Sequence, residues 1–166
     1  LTAYGGGSIK LSRVTGIPKH EAEDILSAYY KSFYELTAWK RQVVAKAKKD
    51  GYVSTLYGRR RRLPDLSSGS DELRSRAERQ AVNAIVQGTA ADLCKQAMID
   101  VHKAMSGTSV KLLVQVHDEL VATVHEMDKI DILNPFINAM GDGMVLEKVP
   151  IKVSHQFAKS WAEAKE

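Results

Sequence analysis

With a single cysteine, Cys94, the chain cannot form an intrachain disulfide, and a reducing, cytoplasmic setting is the default expectation. Cys94 falls in a helical pattern and reads as a small apolar packing group. No apolar run is long enough to span a bilayer and no signal peptide opens the sequence, so no membrane role is expected. The internal His117-Asp118-Glu119-Leu120 matches a retention tetrapeptide that is read only at a C-terminus. Zinc or thiol catalysis lacks its usual carriers, since neither His-Glu-x-x-His nor paired-cysteine spacing occurs. Gly5-Gly6-Gly7 is not a phosphate loop, because no Gly-Lys-Ser/Thr ending and no spaced dinucleotide fingerprint accompanies it. Repeats and low-complexity segments are missing too. The sequence opens at Leu1, with neither Met nor a helix start signal, so a segment of a longer protein is the expectation.

What is present is an ordinary globular composition, 44% hydrophobic and 27% charged, with charge sorted along the chain. Residues 40–62 hold nine Lys and Arg against one acid, Asp50, while residues 117–147 hold seven acids against Lys129. Such sorting suits a protein that grips phosphates in one place and binds metal in another, or simply one with two solvated faces of opposite sign. Arg59-Arg60-Arg61-Arg62 sharpens the first reading. Adjacent guanidinium groups repel and seek anions, pairing with phosphate in bidentate fashion; a solvated turn or a targeting tract is the alternative.

Along the chain, the three glycines end any helix arriving from upstream, and Tyr4 before them either fills a core edge or offers a face for a nucleobase to stack on. Pro18 opens a long helical pattern, with Ala22, Ile25, Tyr29, Phe33 and Leu36 as its apolar stripe and a slip in register toward Val43 and Ala47. Gly51 stops it, and a strand over 52–57 leads to Gly58 and the arginines. Residues 67–70 form a capping loop, followed by helix to about Met105, interrupted at most locally at Gly88-Thr89. Helical spacing over 127–144 contains Pro135, which marks a kink or a late start. A final strand over 149–153 and a short terminal turn or helix complete an α+β arrangement, an antiparallel sheet covered by helices.

Between residues 111 and 124, two β-branched-rich runs flank His117, Asp118 and Glu119, the pattern of a tight hairpin with acids at its tip. Carboxylates mounted so suit a hard dication such as magnesium. Taken alone, they favour a solvated turn, since polar tips are the rule. In the preceding helix Arg79, Asn83 and Gln87 lie four apart and share a face. Donors in a row could follow the acceptors that the DNA minor groove presents at every base pair, although three such residues alone equally make an uninvolved exposed face.

Taken together, these residues resemble the C-terminal part of a family A DNA polymerase. Tyr4-Gly5 resembles the end of the family's fingers-helix motif, and Thr55-Leu56-Tyr57-Gly58-Arg59-Arg60-Arg61 with Leu63-Pro64-Asp65 resembles its basic hairpin. Arg79-x-x-x-Asn83-x-x-x-Gln87-Gly88-Thr89-Ala90-Ala91-Asp92 and Gln115-Val116-His117-Asp118-Glu119 match two signature blocks, and Trp161 with Ala164-Lys165 resembles the usual terminus. The matches run through nearly the whole chain in the family's order.

The resemblance implies an antiparallel palm sheet packed by long helices (67–166) and a helical partial fingers lobe with the basic hairpin (1–66). It implies template-directed transfer of deoxynucleotides to a primer 3′ end, with primer-template DNA and deoxynucleoside triphosphates as partners and Mg²⁺ as cofactor. Asp118 would be one of two metal-holding aspartates, Glu119 an auxiliary carboxylate and His117 a support for the primer end. Arg79, Asn83 and Gln87 would track the minor groove, and Tyr4 and Gly5 would lie by the templating position. The family's first palm aspartate and its triphosphate-holding Lys and Arg precede these motifs and are absent from this sequence. One palm aspartate cannot organise two metals, so this chain by itself is expected to be inactive. Gly6-Gly7 and His155-Gln156-Phe157 depart from the family's pattern. Two other readings stay open: a noncatalytic DNA-binding remnant, and a relative of single-subunit RNA polymerases, against which Glu119 after His117-Asp118 argues by resemblance.

Overall fold

The structure is a computed structural model that describes residues 6–142, 146 and 149–165. The expected α+β class is present, as five helices and two separate antiparallel hairpins among the described residues. Two compact units, Leu1–Thr89 and Ala90–Glu166, divide within the longest helix.

In the first unit, α1 (Ser8–Thr15) begins after Gly7 and ends at Gly16, whose left-handed backbone lets its N–H bond the Ser12 carbonyl at 2.8 Å. α2 (Lys19–Ser32) starts just past Pro18, which sits at the cap in an extended conformation rather than as the first helical residue. The single long helix expected from Pro18 to Gly51 is instead two. At Phe33 the backbone leaves helical geometry (φ −110°, ψ 50°), and α3 (Tyr34–Asp50) follows. Of the expected stripe Ala22 is buried, with Leu26 one turn on, whereas Ile25 and Phe33 are about half exposed. Tyr29 still meets Phe33, ring centroids 4.9 Å apart. Gly51 closes α3 as expected, in left-handed geometry (φ 75°).

The strand expected over 52–57 shortens to β1 (Tyr52–Ser54), because Thr55 already exchanges turn bonds with Gly58 and Arg59. β2 (Arg60–Arg62) pairs with it, Val53 opposite Arg61, so most of the arginine run is itself strand. Past the hairpin, Leu63, just before a 3₁₀ turn at Pro64–Ser67, and Leu66 within it join Ala47, Val53, Ala77 and Ala81 in one buried cluster. That cluster is what fixes the hairpin between α3 and the start of α4 (Asp71–Ala104). α4 runs unbroken through Gly88-Thr89, with Asp71 and Glu72 placed to favour its N-terminal dipole.

In the second unit, Leu93, Ala97, Val101 and Met105 are buried at four-residue spacing along the end of α4 and just past it. β3 (Lys111–Val116) and β4 (Glu119–Thr123) form the expected hairpin, with a bulge at Leu113. α5 (Lys129–Asp142) starts well before Pro135 and contains it. The final strand expected over 149–153 does not form. Leu146 and Val149 make an isolated bridge and residues 150–158 lie in no regular element, as befits Pro150, which has no N–H to give a ladder.

Candidate nucleic-acid interface

In the first unit the polar stripe sits where helical spacing predicts. Arg79 and Gln87 are exposed on α4, and Asn83 between them is half-buried. Asn83 Oδ1 is sealed from solvent without a hydrogen-bond partner among the described residues. Leaving such an acceptor unpaired costs about 1–3 kcal/mol, a cost tolerated most readily where a residue serves a ligand.

The basic hairpin docks at the next residues of the same helix. Its tip turns at Gly58 (φ 83°), with the Thr55 N–H donating to the Arg59 carbonyl at 2.9 Å and the Arg59 N–H donating to Thr55 Oγ1 at 3.2 Å. From the tip, the Leu56 N–H donates to Thr89 Oγ1 at 3.1 Å, and Arg59 Nη2 donates to the Gly88 carbonyl at 2.9 Å. A helical carbonyl keeps a second lone pair, so Arg59 can use it without opening the helix. Gly88 leaves room for this approach: a Cβ there would stand 2.7 Å from Thr55 Cγ2 and 3.3 Å from Arg59 Nη2. A mid-helix glycine costs roughly 1 kcal/mol against alanine, and here the close docking offsets it.

Arg60, Arg61 and Arg62 remain exposed along β2. The Arg60 guanidinium lies over the Tyr52 ring, 4.8 Å from its centroid, which orients it while leaving its donors available. Together with Lys40, Arg41, Lys46, Lys48 and Lys49 of α3, this is a concentration of cations suited to a polyanion. The anchoring residues Thr55, Gly88 and Thr89 do not stand out as site residues from the sequence. They fall within the blocks that resemble the family, but the residues themselves signal only a glycine inside a helical run, which reads as a local interruption until its neighbour across space is known.

In the second unit His117 and Asp118 form the two-residue loop of the β3–β4 hairpin, next to the Val116–Glu119 pair. His117 takes a left-handed backbone (φ 54°), unusual for a residue with a Cβ. Gln115 Nε2 donates to the His117 carbonyl at 3.0 Å and pins the loop. His117, Asp118 and Glu119 are all exposed. Burial, and secondarily the charge of Asp118, pushes the Cys94 thiol up, so the carboxylate is felt at α4.

The two adjacent carboxylates are hard oxygen donors of the kind magnesium takes. Among the described residues no three His, Cys, Asp or Glu side chains come together as a metal cage. Asp118 and Glu119 therefore fit as part of a coordination sphere rather than as a whole one. Tyr4 and Gly5 lie outside the described residues. No helix among the described residues is long and apolar enough to cross a membrane.

Known proteins are similar to this chain over nearly its whole length. The family model for DNA polymerase family A matches residues 2–163. The chain is 39% identical over 163 residues to the thermostable DNA polymerase I of Thermus filiformis, covering 98% of this chain and 19% of that protein. It is 40% identical over 166 residues to DNA polymerase I of Mycobacterium bovis, covering 98% and 18% respectively. Among solved structures, the POL domain of Pol1 from M. smegmatis, in complex with DNA primer-template and dNTP, superposes with a TM-score of 0.93 at 39% identity, covering 99% of this chain and 29% of that one. The chain thus spans about a fifth of the length of these curated relatives. With a family match running nearly end to end and the same fold at this identity, the chain belongs to DNA polymerase family A.

Proposed function

We propose that this chain is the duplex-holding and part of the metal-holding portion of a template-directed DNA polymerase. The observation that carries the reading is the pairing, on one unit, of the Arg79-Asn83-Gln87 face with an arginine hairpin docked at the very next residues of α4. Duplex phosphates are taken by Arg60, Arg61 and Arg62, while side-chain donors of Arg79, Asn83 and Gln87 meet minor-groove acceptors common to every correct base pair. Tyr4 and Gly5 lie by the templating base in this reading, and 1–66 and 67–166 serve as fingers and palm portions. Support for DNA and nucleotide as partners comes from the M. smegmatis Pol1 complex, which holds both.

Asp118 holds magnesium with a second carboxylate from elsewhere in the polymerase, Glu119 assists beside it, and His117 steadies the primer terminus. When bound, paired metal ions would activate the primer 3′-hydroxyl and neutralise charge on the triphosphate. The chain's own contribution is to fix Asp118 on a short, pinned loop and to hold the duplex in register. A single palm aspartate supplies too few ligands, so the 166 residues alone bind primer-template without extending it.

A noncatalytic DNA-binding role is favoured by one observation: the Arg79-Asn83-Gln87 face and the docked arginine hairpin lie within one unit, which does not contain Asp118. The two readings share this interface and part at Asp118: only in the catalytic one does Asp118→Ala in the longer polymerase abolish extension, while one assay on this chain tests the interface itself. Primer-template binding by this chain, measured by anisotropy, is expected to weaken steeply with salt and to persist in EDTA. Salt-insensitive binding, or none, would contradict the interface. Mg²⁺-dependent extension by the chain alone would contradict its proposed incompleteness.

A further inference from the structure

We propose that Thr89 and Gly88 are positioning residues for duplex binding: they clamp the tip of the arginine hairpin to the DNA-facing helix, so that Arg60–Arg62 meet phosphates in register with Arg79, Asn83 and Gln87. The inference rests on the interface reading above and assigns a task to the two residues that hold the hairpin tip. Three features converge on the clamp. Thr89 is 6% exposed, and its hydroxyl accepts from the Leu56 N–H at the hairpin tip. Arg59, the first of the four arginines and exposed like the others, commits Nη2 to the Gly88 carbonyl at 2.9 Å. Gly88 has no room for a Cβ, since Thr55 Cγ2 would lie 2.7 Å from it.

A two-stranded hairpin of three residues per strand holds its direction poorly by its own ladder bonds. The buried cluster grips its base through Val53 and Leu63. The clamp grips its tip. Both ends fixed, the exposed arginines keep one orientation relative to the helix face, which lowers the ordering cost when the duplex arrives. The clamp sits one residue beyond Gln87, so a tilt of the tip carries the arginines away from the groove that Gln87 reads.

The test uses this chain and a fluorescein-labelled primer-template duplex, reading affinity across a salt series and thermal unfolding in parallel. Thr89→Val keeps the shape and removes the acceptor. It is expected to weaken binding several-fold and to flatten the log-affinity against log-salt slope by about 1–2, the equivalent of one or two phosphates lost at roughly 0.9 each. Thr89→Ser keeps the hydroxyl and restores the slope; Gly88→Ala, which pushes the tip off, flattens it as Thr89→Val does. Variants that melt lower while keeping the native slope would overturn the clamp and leave the interface standing. An unmodified chain with no salt-sensitive binding would overturn both. Hydrogen exchange on the unmodified chain supplies an arm free of folding defects. The Leu56 amide, on a residue 70% exposed, is expected to be protected and to slow further when duplex is added. A fast-exchanging Leu56 amide indifferent to DNA would overturn the clamp.

Discussion

Single residues carry the strain and charge that mark the acidic turn. His117 holds a left-handed backbone at φ 54°, a conformation that costs a residue with a Cβ about 1–2 kcal/mol. Glycine escapes that cost and a β-branched residue bears it most heavily, so His117→Val should be less stable than His117→Gly by about 1–2 kcal/mol in urea unfolding. Equal stabilities would mean the loop is relaxed. Cys94 reports on Asp118 from the other side. Burial first and the Asp118 charge second raise its thiol, so it holds less thiolate near neutral pH than an ordinary cysteine. Asp118→Asn removes the charge, lowers the thiol toward its ordinary value and should speed alkylation of Cys94 at fixed pH. An unchanged rate would place the carboxylate too far away to act. In linkage terms, a folded value above the unfolded one gives a stabilising contribution that is whole below the unfolded thiol's range and fades as pH rises through the folded one. Of this turn, the sequence made the hairpin and the acid cluster legible through alternation around polar residues. The left-handed His117 left no trace, because nothing in the residue type demands it.

At the scale of elements, the hairpin is the unit to perturb. Replacing Arg60, Arg61 and Arg62 together by Ala should lower the salt slope of duplex binding by about 2–3, at roughly 0.9 per phosphate contact, and leave unfolding nearly unchanged because all three are exposed. A slope that stays constant would assign the phosphate contacts elsewhere. Helices with strong punctuation were legible: Gly51 ends α3, and the Ser-rich loop with Asp71 and Glu72 starts α4. Three features were not. α1 is short, lies between glycines and has no acid in its first turn. The α2–α3 break at Phe33 uses neither Gly nor Pro, so the pattern reads straight through it. The last expected strand fails at Pro150, a signal present in the sequence but outweighed by the β-branched residues around it.

For the whole molecule, the sorted charge and the two signature blocks were enough to place the chain in its family, because each block carries several polar residues at fixed spacing. How those blocks are held is a tertiary fact. The docking of Leu56 and Arg59 on Thr89 and Gly88 joins positions 33 and 29 residues apart in sequence, a pairing that no local pattern announces. The proposed fingers and palm portions divide in the loop before α4, whereas compactness divides the chain inside α4 at Thr89. The most direct test of the account takes the longer polymerase proposed to contain this chain and measures single-turnover primer extension with Asp118 intact and as Asp118→Ala, alongside duplex affinity. Loss of metal-borne charge stabilisation worth several kcal/mol predicts extension slowed by on the order of 10³ or more, with duplex affinity close to that of the unaltered protein. Extension at an undiminished rate would contradict the account, since Asp118 would then hold no metal that the reaction needs.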